Sequence, residues 1–158
     1  MINATAVRAH ATLRRSIMIL ICLWTLLILA LTAPSHAAAR SDATWKWRPQ
    51  INAAAARHHV PAGMVQAIMA VESGGNPHAH NASGADGLMQ LIPMWGTRLS
   101  PEANIAKGAE VLKRCINQAG GMTDAAIGCY YTGHPSTAPS RYIHKVRSAW
   151  AAIAAQGG

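Results

Sequence analysis

Met64 to Pro77 reads MVQAIMAVESGGNP. Met64, Ile68 and Val71 recur at +4 and +3, with Val65 and Met69 alongside. That spacing lays one apolar stripe along a helix. Gly74-Gly75-Asn76-Pro77 then stops it, because glycine and proline disfavour continued helical backbone. Glu72 stands near the end of this apolar helix, beside Ser73 and just before the break. A carboxyl on the rim of an apolar core has a raised pKa, since desolvation disfavours its charged form. A Glu that is still protonated near neutral pH suits general-acid catalysis. Taken without its surroundings, Glu72 reads more plainly as a surface residue at a helix end.

Working outward, the pattern stays helical. Pro49 can start a helix that runs through INAAAARHH, residues 51–59, until Val60-Pro61 breaks it. Past the central break, residues 78–86 are polar and irregular, and Gly87 to Pro93 predicts one or two short helical turns. Ser100-Pro101-Glu102 is a helix start: a capping hydroxyl, a proline in the first turn and an acid near the positive helix end. Ile105, Ala109, Leu112 and Ile116 continue its buried stripe to Gly120-Gly121. Thr123 caps a short helix through Tyr131, and Ser140 is placed to cap a last one with Ile143, Val146, Trp150 and Ile153 inside. No stretch alternates with period two for long, so at most a minor β-hairpin is expected near 78–88. The fold class is mainly α.

Composition narrows the chemistry. The 158 residues suit one ordinary domain, being 51% apolar and 13% charged. There are fourteen Lys and Arg but only six Asp and Glu, a formal net charge of +8. So few carboxylates argue against calcium cages, two-metal sites and paired-carboxylate mechanisms. The charge invites a nucleic-acid reading, but its distribution argues otherwise. Arg8, Arg14 and Arg15 precede the uncharged run Ile17–Ala33, and Pro34-Ser35-His36-Ala37-Ala38-Ala39 follows it. This is the pattern of a secretory signal peptide over residues 1–39, with an uncleaved membrane anchor as the alternative. Residues 40–158 then form the working domain, exported to the periplasm, with any membrane contact confined to the N-terminal segment. Its basic residues are scattered, without zinc-finger spacing or an aromatic platform, and no nucleic-acid partner is expected. His78-x-His80 lacks the helical His-Glu-x-x-His arrangement and any thiolate pair, so no metal and no cofactor is expected. Cys115 and Cys129 remain after the leader; outside the cytoplasm they read as one disulfide, with two buried thiols as the alternative.

The surroundings of Glu72 change its reading. Ala70-Val71-Glu72-Ser73-Gly74-Gly75-Asn76-Pro77, followed by Gly84-Ala85-Asp86-Gly87-Leu88-Met89-Gln90-Leu91-Ile92-Pro93, resembles the soluble lytic transglycosylase (SLT) domain family. So does Pro101-Glu102-Ala103-Asn104-Ile105-Ala106-Lys107-Gly108. Cys129-Tyr130-Tyr131-Thr132-Gly133 stands where the family has Ala-Tyr-Asn-Ala-Gly, and Tyr142-Ile143-His144-Lys145-Val146 matches its closing Tyr-x-x-x-Val. The likeness covers about residues 47–150, with the motifs in the family's order.

The resemblance implies a goose-lysozyme-like helical domain acting on peptidoglycan glycan strands. Such enzymes cleave the MurNAc-β-1,4-GlcNAc bond without water and leave a 1,6-anhydro muramyl end. By position, Glu72 is then the catalytic acid and base. Tyr130 aligns with the tyrosine that can hydrogen-bond that glutamate, and reads equally as a core aromatic with a satisfied hydroxyl. Met89 and Gln90 align with groove-lining residues, Gln90 being the better candidate for sugar contact. Asn81 stands where many members have Ser, and retains a hydrogen-bonding side chain. Ser73 and Asn104 read as structural braces. Tyr131 and Thr132 replace the usual Asn and Ala, which alters the groove floor. The small size, leader, cysteine pair and Cys-Tyr-Tyr-Thr-Gly variant resemble the specialised transglycosylases that open the wall for conjugation or type IV secretion machines, whose proteins would then be partners. The alternatives are a goose-type hydrolase, which would need a second carboxylate, and an inactive glycan-binding component.

Overall fold

A computed structural model describes residues 43–95, 98–135 and 139–157. The expected leader, 1–39, lies outside these residues. After a 3₁₀ turn at Trp45–Trp47 come α1 (Arg48–His58), α2 (Ala62–Glu72), a 3₁₀ turn at Pro93–Trp95, α3 (Pro101–Gln118), α4 (Asp124–Thr132) and α5 (Ser140–Gln156). Among the described residues no helix is long and apolar enough to cross a membrane. The expected mainly α class is what the chain adopts.

α2 is the central helix. Every residue from Met64 to Ala70 is buried, Gln66 included, so this segment is enclosed on all sides rather than amphipathic. Gln66 is accommodated because its Nε2 donates to Thr44 Oγ1 at 3.0 Å. α2 packs most extensively on α5, and α3 bridges α1 and α4. Ile51, Ile68, Met69, Leu88, Ile105, Leu112, Ile127 and Val146 fill the space between them.

The helix ends follow local chemistry. Ser100 Oγ accepts from Ala103 N at 3.2 Å and Thr123 Oγ1 from Ala126 N at 3.3 Å, which satisfies amide donors left open in each first turn. The last helix departs from the reading of its sequence. Pro139 occupies the cap position without a side-chain bond, and Ser140 is already helical. Its buried line is Tyr142, Val146, Ala149 and Ile153; Ile143 and Trp150 lie one position aside and pack at the edge. Cys115 and Cys129 form a disulfide that ties α3 to α4. Closing a loop with a sequence separation of 14 contributes about 3 kcal/mol in the chain-entropy account.

Residues 87–90 are not the expected helical turns. Asp86 and Leu91 pair antiparallel, with Asp86 N to Leu91 O and Leu91 N to Asp86 O both at 3.0 Å. A second antiparallel bridge joins His80 to Asp86. The cause is backbone geometry: Gly87 has φ 76° and Gln90 φ 46°, and left-handed residues at both ends of a four-residue loop fold it back on itself. The minor hairpin expected near 78–88 is thus reduced to isolated bridges, one of which extends to Leu91.

Candidate active site

Glu72 is the last residue of α2. Its Oε1 accepts a 2.6 Å hydrogen bond from the Tyr142 hydroxyl, in the first turn of α5. Burial raises the Glu72 pKa from 4.5 to about 7, and the Tyr142 bond opposes part of that rise by favouring the carboxylate. Burial and the neighbouring Glu72 carboxyl hold the Tyr142 phenol well above its ordinary range, so it remains a donor. The sequence placed Tyr130 in this role. Instead, Tyr130 is close enough for Glu72 to push its phenol upward after burial has done so, but its hydroxyl donates to Met89 O at 3.0 Å.

Tyr142→Phe therefore removes the one interaction that holds the Glu72 pKa down. A ¹³C titration of the Glu72 carboxyl is expected to move upward by about one pH unit in this variant. A downward move would mean that Tyr142 is not the donor.

Glu72 opens on a cleft of about 480 Å³. Asn81, Gln90, Tyr130, Tyr131 and Arg114 share its lining. Glu72 is its only carboxylate and Arg114 its only fixed cation among the described residues. Tyr131 is 56% exposed and packs its ring on Tyr142, centroids 4.7 Å apart at 39°. The residue that replaces the family's Asn thus covers the donor to Glu72. Asp86 is not in the cleft: its Oδ2 accepts from Arg98 N at 3.1 Å and its Oδ1 lies 3.8 Å from His80 Nδ1.

The turn beside Glu72 is braced by side chains. Ser73 Oγ donates to Leu88 O at 2.7 Å and accepts from Gly75 N at 3.1 Å. Asn104 Oδ1 accepts from Met89 N at 2.7 Å, and its Nδ2 donates to Asp86 O at 3.1 Å. The Met89 side chain is fully buried against Gly108, where an added Cβ would approach its Cβ to 2.7 Å, so Met89 reaches the site through its backbone rather than by lining the groove. Gln90 does line the cleft, but its Nε2 donates to Ala79 O at 2.9 Å and Gly87 O at 3.0 Å. Asn81 Oδ1 accepts from Ser83 N, Ser83 Oγ and Ala85 N at 3.0, 2.7 and 3.1 Å, an Asx-type turn that shapes the rim.

The residue order alone puts Tyr131 on the groove floor, where it lies, but points to neither the Tyr142 partnership nor the cleft roles of Trp95 and Arg114. The spacing 142, 146, 149, 153 could have placed Tyr142 on the core face of α5; nothing local in sequence pairs it with Glu72.

Among known protein families, the transglycosylase SLT domain matches residues 49–152. The transglycosylase of enterobacteria phage PRD1 is 32% identical over 94 residues, covering 56% of this chain and 35% of that protein. The endo-type membrane-bound lytic murein transglycosylase A of two Klebsiella pneumoniae strains is 37% identical over 84 residues, covering 42% of this chain and 41% of theirs. The chain thus spans well under half the length of these curated relatives.

Proposed function

Because the chain belongs to the transglycosylase SLT domain family, we propose that it is a peptidoglycan lytic transglycosylase, with Glu72 as its catalytic acid and base. The observation that carries this reading is a single half-buried carboxyl, its pKa raised to about 7 by desolvation, in a cleft that holds no second carboxylate among the described residues. Near neutral pH a large fraction of Glu72 is protonated and can donate to the glycosidic oxygen as the bond to C1 of the muramyl sugar breaks. The N-acetyl group of that sugar can stabilise C1. Glu72, now ionised, accepts the proton of the C6 hydroxyl as that oxygen bonds to C1. The products are a free GlcNAc 4-hydroxyl and a 1,6-anhydro muramyl end, and the proton balance of Glu72 closes without water. The Tyr142 bond stabilises the carboxylate formed midway.

A hydrolase would need a base to activate water on the opposite face of the sugar. Asp86 is the nearest acid in the motif, and its contacts lie on the hairpin and at Arg98. The expected site of action is the periplasmic wall, and local opening for a secretion or conjugation machine fits the Cys115–Cys129 pair and the Cys-Tyr-Tyr-Thr-Gly stretch. Digestion of purified sacculi followed by mass spectrometry tests the chemistry. Anhydro-muramyl ends are expected; reducing ends would make the protein a hydrolase, and sacculus binding without release of fragments would make it a binding component.

A further inference from the structure

A second groove, of about 430 Å³, lies against the cleft and shares Trp95 with it. Arg57, at the end of α1, and Ala103, Ala106, Lys107 and Glu110 of α3 line it. On α3 the positions 103, 106, 107, 110 and 114 recur at helical spacing, so one face of the helix runs from the groove to Arg114 in the cleft. Trp95 is flanked along this path by cations: the Arg114 guanidinium is 4.0 Å from its ring centroid and Lys107 Nζ 6.0 Å. Glu110 is the groove's only acid, and Lys107 holds it at 2.9 Å. Arg57 and Arg114 are both exposed, and neither has a carboxylate partner among the described residues. The path therefore combines excess positive charge with a floor of Trp95, Leu99, Ala103 and Ala106.

We infer that this groove receives the acidic peptide carried by the muramyl sugar, with Arg57, Lys107 and Arg114 meeting its carboxylates and Trp95 marking where the peptide leaves the glycan. The inference rests on the peptidoglycan reading above and adds a substrate preference to it. A strand stripped of its peptides keeps only the single lactyl carboxylate of each muramyl sugar. An acidic peptide joined by an amide to the lactyl group of every second sugar carries further carboxylates away from the sugar ring, and its short apolar residues suit the alanine-lined floor. The protein thus selects wall that still carries its peptides over wall that has been stripped of them.

The test compares a disaccharide-peptide fragment with the same disaccharide lacking the peptide. Binding to the Glu72→Gln protein is measured by calorimetry, and turnover by the wild type is measured on intact and amidase-stripped glycan strands. The peptide-bearing form is expected to bind about tenfold more tightly, and Arg57→Gln with Lys107→Gln to remove that preference, mainly through KM. Lys145→Gln, a cation exposed on α5 outside both grooves, should leave the preference in place. Equal binding of the two fragments, or a preference that survives loss of both groove cations, overturns the inference. Absence of anhydro ends from either strand would overturn the transglycosylase reading instead, with the binding comparison still deciding the groove.

Discussion

Glu72→Gln is expected to lower release of anhydro-muramyl fragments by about a thousandfold or more, while making the folded protein more stable at alkaline pH. General acid–base catalysis by one positioned group contributes about 10²–10⁴ in rate. Here one group serves both proton transfers, so the upper part of that range applies. Gln can still accept the Tyr142 hydroxyl bond, so the loss reports proton transfer rather than geometry. The stability change follows from the raised pKa. Below pH 4.5 the carboxyl is protonated in both folded and unfolded chains, and its titration costs the fold nothing. Between 4.5 and about 7 the unfolded chain ionises while the folded chain holds its proton, so stability falls as pH rises. Above about 7 the penalty is complete and amounts to about 3 kcal/mol. Urea denaturation should thus show the variant more stable than the wild type at pH 8, with the difference vanishing near pH 4. Wild-type activity should decline above pH 7 as the acid form is lost. A stability gain independent of pH would show that Glu72 is not a buried carboxyl working against the fold; full activity in the Gln variant would remove it from the chemistry.

The two halves of this expectation were unequally visible in the amino-acid order. The end of an apolar helix followed by Gly74-Gly75 placed Glu72 at a rim; locally spaced apolar residues located α2, α3 and α5, while Pro49 and Thr123 marked the starts of α1 and α4. The rest depends on contacts between distant segments. Tyr142 lies 70 residues from Glu72, and only the packing of α5 on α2 brings them together. Residues 87–90 look helical because Leu88, Met89 and Leu91 are apolar, yet their order comes from Ser73 and Asn104 bonding the turn's backbone. Tyr130 and Tyr142 illustrate the limit well. Both are phenols near Glu72, Tyr142 buried and Tyr130 partly so, and motif position favoured the one whose hydroxyl goes to Met89 O. Arg114 and Trp95 come from separate segments and gain significance only from their stacking at the cleft.

Gly87→Ala is expected to destabilise the domain by about 4 kcal/mol, a large part of the 5–15 kcal/mol typical of a domain. Two costs combine. Gly87 has φ 76°, where an L side chain costs about 1–2 kcal/mol. Its added Cβ would also lie 2.5 Å from Asn104 Nδ2 and 2.8 Å from Asn104 Cγ. Asn104 is 3% exposed and fixed at both ends of its amide, by Met89 N and Asp86 O, so it moves only by losing those bonds. Each buried polar group left without a partner costs about 1–3 kcal/mol. Gly120→Ala separates the two costs, because Gly120 has φ 72° with nothing within 4 Å of an added Cβ. It should cost only about 1 kcal/mol. In an Asn104→Ala background the clash is absent, and Gly87→Ala should fall to the same small value, which a double-mutant cycle in urea would measure as a coupling of about 3 kcal/mol. Equal losses for Gly87→Ala and Gly120→Ala would show that backbone conformation alone demands glycine at 87. A strong coupling would instead make the Asn104 brace the reason, and predicts loss of activity as well, since the same turn carries the Met89 carbonyl that holds Tyr130 at the cleft.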